Sequence, residues 1–117
     1  MIDRTQLYDR LNVPLEQLEA FCKQYHILEL SIFGSVLRDD FRADSDIDML
    51  VVFEPESRAR MSLMDLVGME YQLQDLSGRK VDLVEKRSVE DSHNWIRRKN
   101  ILNTAQVIYE SGRILSA

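Results

Sequence analysis

The sequence predicts an α/β or α+β sandwich built around one main core, and three observations carry that prediction. Apolar residues recur alternately at helical and at strand spacing along the chain. Pro14, Gly34, Pro55 and Gly78 punctuate those periodic segments. The 117 residues are 44% hydrophobic and 30% charged, the balance of an ordinary globular domain and enough chain for a useful core without disulfides.

Taken in order, the elements read as α-β-(α)-β-α-β-α-β. The first helix is expected from Pro14, whose missing N–H is harmless in a first turn; Leu15, Leu18, Phe21, Cys22 and Tyr25 then recur at helical spacing. A strand over Leu28 to Phe33 ends at Gly34, and Ser35 to Asp39 is expected to form a short helical turn. Asp40 to Ser45 is polar and loop-like. A second strand runs from Asp46 to Phe53, with Pro55 marking its exit and Arg58 and Arg60 in a linker. Ser62 and Asp65 form a capping-box pattern at the head of a helix whose apolar face is Leu63, Leu66, Val67, Leu73 and Leu76. Gly78 stops that helix. A short strand, Val81 to Val84, precedes a helix over about Val89 to Leu102, and Ala105 to Tyr109 is expected as an edge strand.

Composition also bounds function. No apolar run is long enough to span a bilayer and no signal peptide is visible, so a cytoplasmic protein without membrane contact is the expectation. The formal net charge of −5 argues against a protein that grips nucleic-acid backbone. Cys22 is the one cysteine and is expected to pack in the core; His26 and His93 lack metal-ligand companions.

The informative stretch is "FGSVLRDDFRADSDIDMLVVFE", residues 33–54. Asp46 and Asp48 share one side of a strand, with Cα atoms about 6.6 Å apart. Two carboxylates among apolar neighbours repel each other and resist burial. No Lys or Arg lies in that strand, so a divalent cation is the economical compensation, and an oxygen-only ligand set suits Mg²⁺ or Mn²⁺. The connection between the first two strands holds no full helix, which favours an antiparallel pair. Gly34-Ser35 and Asp46/Asp48 then meet at one sheet edge, with Ser35 opening a helical turn that suits phosphate. Asp82 is a third strand carboxylate that lies across from the pair if its strand adjoins theirs. Three acids of this kind hold two metal ions about 3.5–4 Å apart. Phosphate at Ser35 with metal at the acids describes a nucleoside triphosphate site.

Gly34-Ser35, ten residues, Asp46-Ile47-Asp48 and a later strand acid, Asp82, resemble the signature of the nucleotidyltransferase superfamily of the DNA polymerase β fold. The short chain is similar to the minimal nucleotidyltransferases, the MNT proteins encoded beside helical HEPN-domain proteins. The resemblance spans about residues 28–110 of a single 117-residue domain and implies a mixed β-sheet flanked by helices. It implies transfer of AMP from ATP, with two Mg²⁺ ions, to a hydroxyl. In MNT–HEPN pairs the nucleotidyltransferase is the antitoxin and adenylylates a tyrosine of the ribonuclease toxin, with which it assembles. Carried over, Gly34 and Ser35 bind the triphosphate and Arg38 steadies phosphate. Asp46 and Asp48 ligate both metals; Asp82 ligates one and helps deprotonate the acceptor. The chain departs from the pattern after Arg38, where Asp39-Asp40 replaces a glycine, and the two acids are expected to face solvent. Two other readings stay open: an antitoxin that acts by binding alone, and a small-molecule adenylyltransferase, for which the chain is short. Trp95 with Arg97, Arg98 and Lys99 is read as a core tryptophan beside a solvated basic face, with a partner-contacting helix as the alternative.

Overall fold

The computed structural model describes residues 2–115. Its elements run α1 (Arg4–Leu11), α2 (Leu15–Gln24), β1 (Ile27–Phe33), a 3-10 turn (Gly34–Leu37), β2 (Ile47–Phe53), α3 (Pro55–Ala59), α4 (Leu63–Ser77), β3 (Val81–Glu85), α5 (Lys86–Glu90), α6 (Trp95–Thr104), β4 (Gln106–Glu110) and β5 (Arg113–Ile114). The sheet order is β3-β2-β1-β4-β5. β2 and β3 pair in parallel, whereas β1–β2, β1–β4 and β4–β5 are antiparallel. This is the expected mixed sheet flanked by helices.

Alternation along the strands divides the apolar residues between the two sheet faces. Ile47, Met49, Val51 and Phe53 of β2 join Leu30 and Ile32 of β1 in a large cluster with Leu7, Leu18 and Phe21 of the first two helices and Met69 and Leu73 of α4. Phe33 and Leu50 face the other way and pack with Val89 and Ile101 under α5 and α6. The expected main core is joined by a smaller cluster on the other sheet face, because every strand residue points to one face or the other. Asp48 and Asp82 have the parity of Leu50 and Val84, so they continue the smaller cluster toward the sheet end where apolar cover stops.

Several elements differ from the sequence reading. The helix over Arg4–Leu11 precedes the first expected one. Its signal was a capping box: Asp3 accepts from the Gln6 backbone N–H and the Gln6 side chain accepts from the Asp3 N–H. The expected linker after Pro55 is a single helical turn with proline in its first positions. The expected helix from Val89 to Leu102 is two helices, because the chain breaks at residues 91–94 and Asn94 caps a fresh start by accepting from the Arg97 N–H. The strand ending at Tyr109 is interior, since β5 covers its outer side. Along α4, Leu66, Met69, Leu73 and Leu76 meet the core, whereas Leu63 is 77% exposed. The Ser62–Asp65 capping box and the left-handed Gly78 stop are as expected. Cys22 is fully buried, and burial first, then the nearby Glu19, pushes its thiol pKa up to about 12. His26 and His93 are exposed.

Candidate active site

The site begins with a turn that glycine makes possible. Gly34 leaves β1 at φ +82°, a left-handed backbone that side-chain-bearing residues adopt at a cost. A Cβ at this position would stand 2.4 Å from Oδ2 of Asp48. The absence of a side chain is therefore what lets the Asp48 carboxylate sit against the turn. The antiparallel register places Phe33, one residue earlier, directly opposite Asp48.

Asp82 arrives from the other side. Parallel pairing sets Asp82 opposite Asp48, two acids on adjacent strands with the same facing. The outer edge of β3 is finished by α4: Glu70 accepts from the Leu83 N–H at 2.8 Å and Gln74 from the Val81 N–H at 3.2 Å. These two bonds occupy donors that an edge strand would otherwise leave bare. Asp46 sits just ahead of β2, half-buried, and its backbone carbonyl accepts from the Ser35 hydroxyl at 3.5 Å. That contact ties the turn after β1 to the entry of β2.

The polar loop between them is braced rather than free. Arg79 donates to the carbonyls of Arg42, Ala43 and Ser45 at 2.9–3.2 Å and stacks over Phe41, 4.4 Å from the ring centre. Arg10 covers the same ring at 5.3 Å and donates to the carbonyls of Val36 and Arg38. Two arginines from distant segments thus hold both ends of the connection that carries Ser35 and Asp46.

Gly34, Asp48 and Asp82 line one open cleft of about 760 Å³, together with Glu70 from α4, Asn94 at the N-cap of α6, and Arg97 and Asn100 from α6. An adjoining cleft of about 600 Å³ shares Gly34 and Asn100 and contains Arg38 and Asp39. Of the expected residues, the structure brings Gly34, Asp48 and Asp82 to one cavity. Ser35 and Asp46 are joined to each other beside it, and Arg38 lies next door. There its Nε donates to Asp40 at 3.1 Å, both side chains being largely exposed. Asp39 and Asp40 are exposed, as expected.

The electrostatics of the cleft are strained in one direction. Burial raises the pKa of Asp48, and the charges of Asp82 and Asp46 raise it further, while Arg38 and Arg97 pull it down. A cation is what such a cluster lacks, and the all-oxygen donor set suits a hard divalent ion. Among the described residues no three acidic, histidine or cysteine side chains already stand in a coordinating cluster. An ion would have to draw the carboxylates inward, and their half-exposed placement at a strand end permits that movement. On these grounds the residues fit Mg²⁺.

The sequence reading did not single out Glu70, Asn94 or Asn100, and read Arg97 as part of a solvated basic face; it is exposed and also lines the cleft. The signal for the α6 residues was their spacing, since positions three apart on a helix are neighbours on its surface. Trp95 is a correction: it is 61% exposed, not in the core, because the fresh helix start at Asn94 turns it outward.

Comparison with known proteins agrees with this fold. The model of the nucleotidyltransferase domain family matches residues 15–108. Protein adenylyltransferase MntA of Thermococcus cleftensis is 37% identical over 85 residues, covering 66% of this chain and 82% of its own. A solved structure provisionally described as a minimal nucleotidyltransferase superposes with a TM-score of 0.61 at 30% identity, covering 90% of this chain and 95% of that one. A toxin–antitoxin structure with AMP-PNP shares the fold at a TM-score of 0.64 and 15% identity, over 85% of this chain and 75% of that one. With the Gly-Ser turn, the strand acids and the mixed sheet in place, this chain belongs to the nucleotidyltransferase domain family, among its minimal nucleotidyltransferases.

Proposed function

We propose that this protein is an antitoxin that transfers AMP from ATP to a hydroxyl, a tyrosine, of a cognate HEPN ribonuclease toxin and thereby neutralises it. The observation that carries the reading is the pairing of Asp48 with Asp82 on adjacent strands, facing one cleft, with Gly34 packed against Asp48. The naming of a relative as a protein adenylyltransferase supports a protein acceptor, and a shared fold with an AMP-PNP-bound toxin–antitoxin structure supports the nucleotide.

The chemistry is an in-line displacement. The acceptor oxygen forms a bond to the α-phosphorus of ATP as the bond from that phosphorus to the bridging oxygen of pyrophosphate breaks. Asp46, Asp48 and Asp82 would hold two Mg²⁺ ions, which when bound supply charge neutralisation at the phosphates and acidify the acceptor hydroxyl. Asp82 accepts the acceptor's proton. Gly34 gives the triphosphate close access to backbone at the start of the 3-10 turn, and Ser35 orients that turn through the Asp46 carbonyl. The protein's contribution is position and charge, with no covalent enzyme intermediate.

A protein acceptor needs a surface around the cleft. Trp95 and Ile96 are 61% and 56% exposed at the head of α6, and Ile96 lines the cleft itself. Exposed aromatic and aliphatic side chains beside Arg97, Arg98 and Lys99 are the composition of an interface centre. The same patch favours the second reading, neutralisation by binding alone. Among the described residues no helix is long and apolar enough to cross a membrane, and the reaction is assigned to the cytoplasm with its ATP and Mg²⁺.

The test is direct. Purified protein, ATP labelled at the α-phosphate, Mg²⁺ and the neighbouring helical partner are incubated together. Label is expected on a tyrosine of the partner, and Asp46→Asn is expected to abolish it. An unlabelled partner, with both proteins folded, would overturn the transferase reading. Full neutralisation in cells by Asp46→Asn would assign the function to binding.

A further inference from the structure

We propose that Arg97 of α6 is the cleft's phosphate-binding residue, contacting the nucleotide's phosphates with Asn94 and Asn100 beside it; the inference rests on the nucleotidyl-transfer reading above. Arg97 reaches the lining of the cavity that Gly34, Asp48 and Asp82 share. Asn94, Arg97 and Asn100 follow one another at three-residue intervals along the helix, and all three line that cavity. Asn100 also lines the adjoining cleft, so this face of α6 runs along both.

The state of the guanidinium is the second observation. The Arg97 backbone N–H caps onto Asn94, but among the described residues its side chain donates no hydrogen bond and forms no ion pair within 4.0 Å. The arginines nearest in role are occupied. Arg79 and Arg10 hold backbone carbonyls, Arg98 donates to the Ser92 carbonyl, and Arg58 is paired with Glu85. Arg38, the residue that family resemblance marks for phosphate, is paired with Asp40 and has Asp39 as its neighbour. Its guanidinium thus already has a carboxylate partner, in an exposed pair, before any nucleotide arrives.

Charge balance gives the reason for such a residue. Asp48, Asp82 and Glu70 line the cleft, and a nucleoside triphosphate brings several more negative charges to it. Metal ions offset part of that repulsion from the acid side. A free guanidinium from α6 in the same lining offsets the rest, and its planar fork matches phosphate oxygens. Arg38 and, after it, Arg97 both draw the Asp48 pKa down, so both guanidinium charges reach the acids.

Equilibrium titration of the full chain with AMP-PNP and Mg²⁺, and separately with adenosine, tests the assignment. Arg97→Gln is expected to weaken AMP-PNP binding about tenfold or more, with adenosine affinity unchanged and a shallower salt dependence. Arg97→Lys should recover part of the loss, and Arg38→Gln should cost less than Arg97→Gln. Because the side chain is exposed and unbonded, the variants should melt with the wild type, which the same samples verify. Unchanged AMP-PNP affinity in Arg97→Gln, while wild type binds, overturns this proposal and leaves the transfer reading intact; a loss confined to partner affinity also overturns it. Failure of the folded wild type to bind AMP-PNP overturns both.

Discussion

Gly34→Ala separates backbone strain from catalytic geometry. The substitution costs twice. At φ +82° a Cβ adds about 1–2 kcal/mol of backbone strain. At about 2.1 cal/mol/K per residue, that lowers the melting temperature of a 117-residue chain by about 4–8 °C. The new methyl would also lie 2.4 Å from Asp48 Oδ2, where ordinary contact begins at 3.4 Å. The carboxylate must retreat by about 1 Å, a displacement that costs about a hundredfold at a reacting centre. Gly78→Ala is the control, since Gly78 has φ +74° but a Cβ added there would meet nothing within 4 Å. It carries similar strain with no acid to displace. Thermal melts and labelled-AMP transfer rates of both variants separate the effects. Both should lose comparable stability, while only Gly34→Ala should lose transfer. A Gly34→Ala protein that transfers AMP within about threefold of Gly78→Ala would refute the claim that this glycine exists to seat Asp48.

Four further outcomes follow from the site and the fold. The raised pKa of Asp48 means that the folded state holds its proton more tightly than the unfolded state, so its contribution is lost as pH rises through the folded value. Asp48→Asn should therefore melt above wild type at pH 7 without metal, with the gap closing below about pH 4, and a lower melting temperature would make the acid structural. Added Mg²⁺ should raise the melting temperature of wild type more than that of the variant. Arg79→Ala removes the brace on the loop ahead of Asp46, and transfer is expected to fall about tenfold with a melting temperature only a few degrees lower; equal losses from Arg58→Ala, whose Glu85 partner sits at the far end of β3, would show a nonspecific effect. Cys22, fully buried with its thiol pKa pushed up to about 12, should resist thiol reagents at pH 8 until the protein unfolds, and rapid labelling of the native chain would contradict the placement of α2.

Much of the molecule was legible in local chemistry. The spacing of Gly34-Ser35 and Asp46-Ile47-Asp48 is a local property, as are the capping box at Ser62, the stop at Gly78 and the strand acid Asp82. Each follows from side-chain period or backbone freedom within a few residues. The helix break before Trp95 was also written locally, in an asparagine able to cap, but a continuous apolar rhythm from Val89 to Leu102 obscured it. Other features had no local signature. Whether Val67 or Met69 meets the core depends on how α4 lies against β3, and whether β4 is an edge depends on a two-residue strand that follows it. Arg97 is the sharpest instance, since nothing in its own helix says which cleft that helix will border.

By itself the sequence determined which residue types stand at which intervals, and hence the alternation of helix and strand and the presence of paired acids beside a phosphate-suited turn. Tertiary structure alone decided that Asp82 pairs with Asp48, that Arg79 and Arg10 clasp the intervening loop, and that the exposed Arg97 lines the same cleft as the acids. The physical reason is range: periodicity and capping act within a turn or a strand, whereas strand partnership and cleft lining depend on segments dozens of residues apart being packed together.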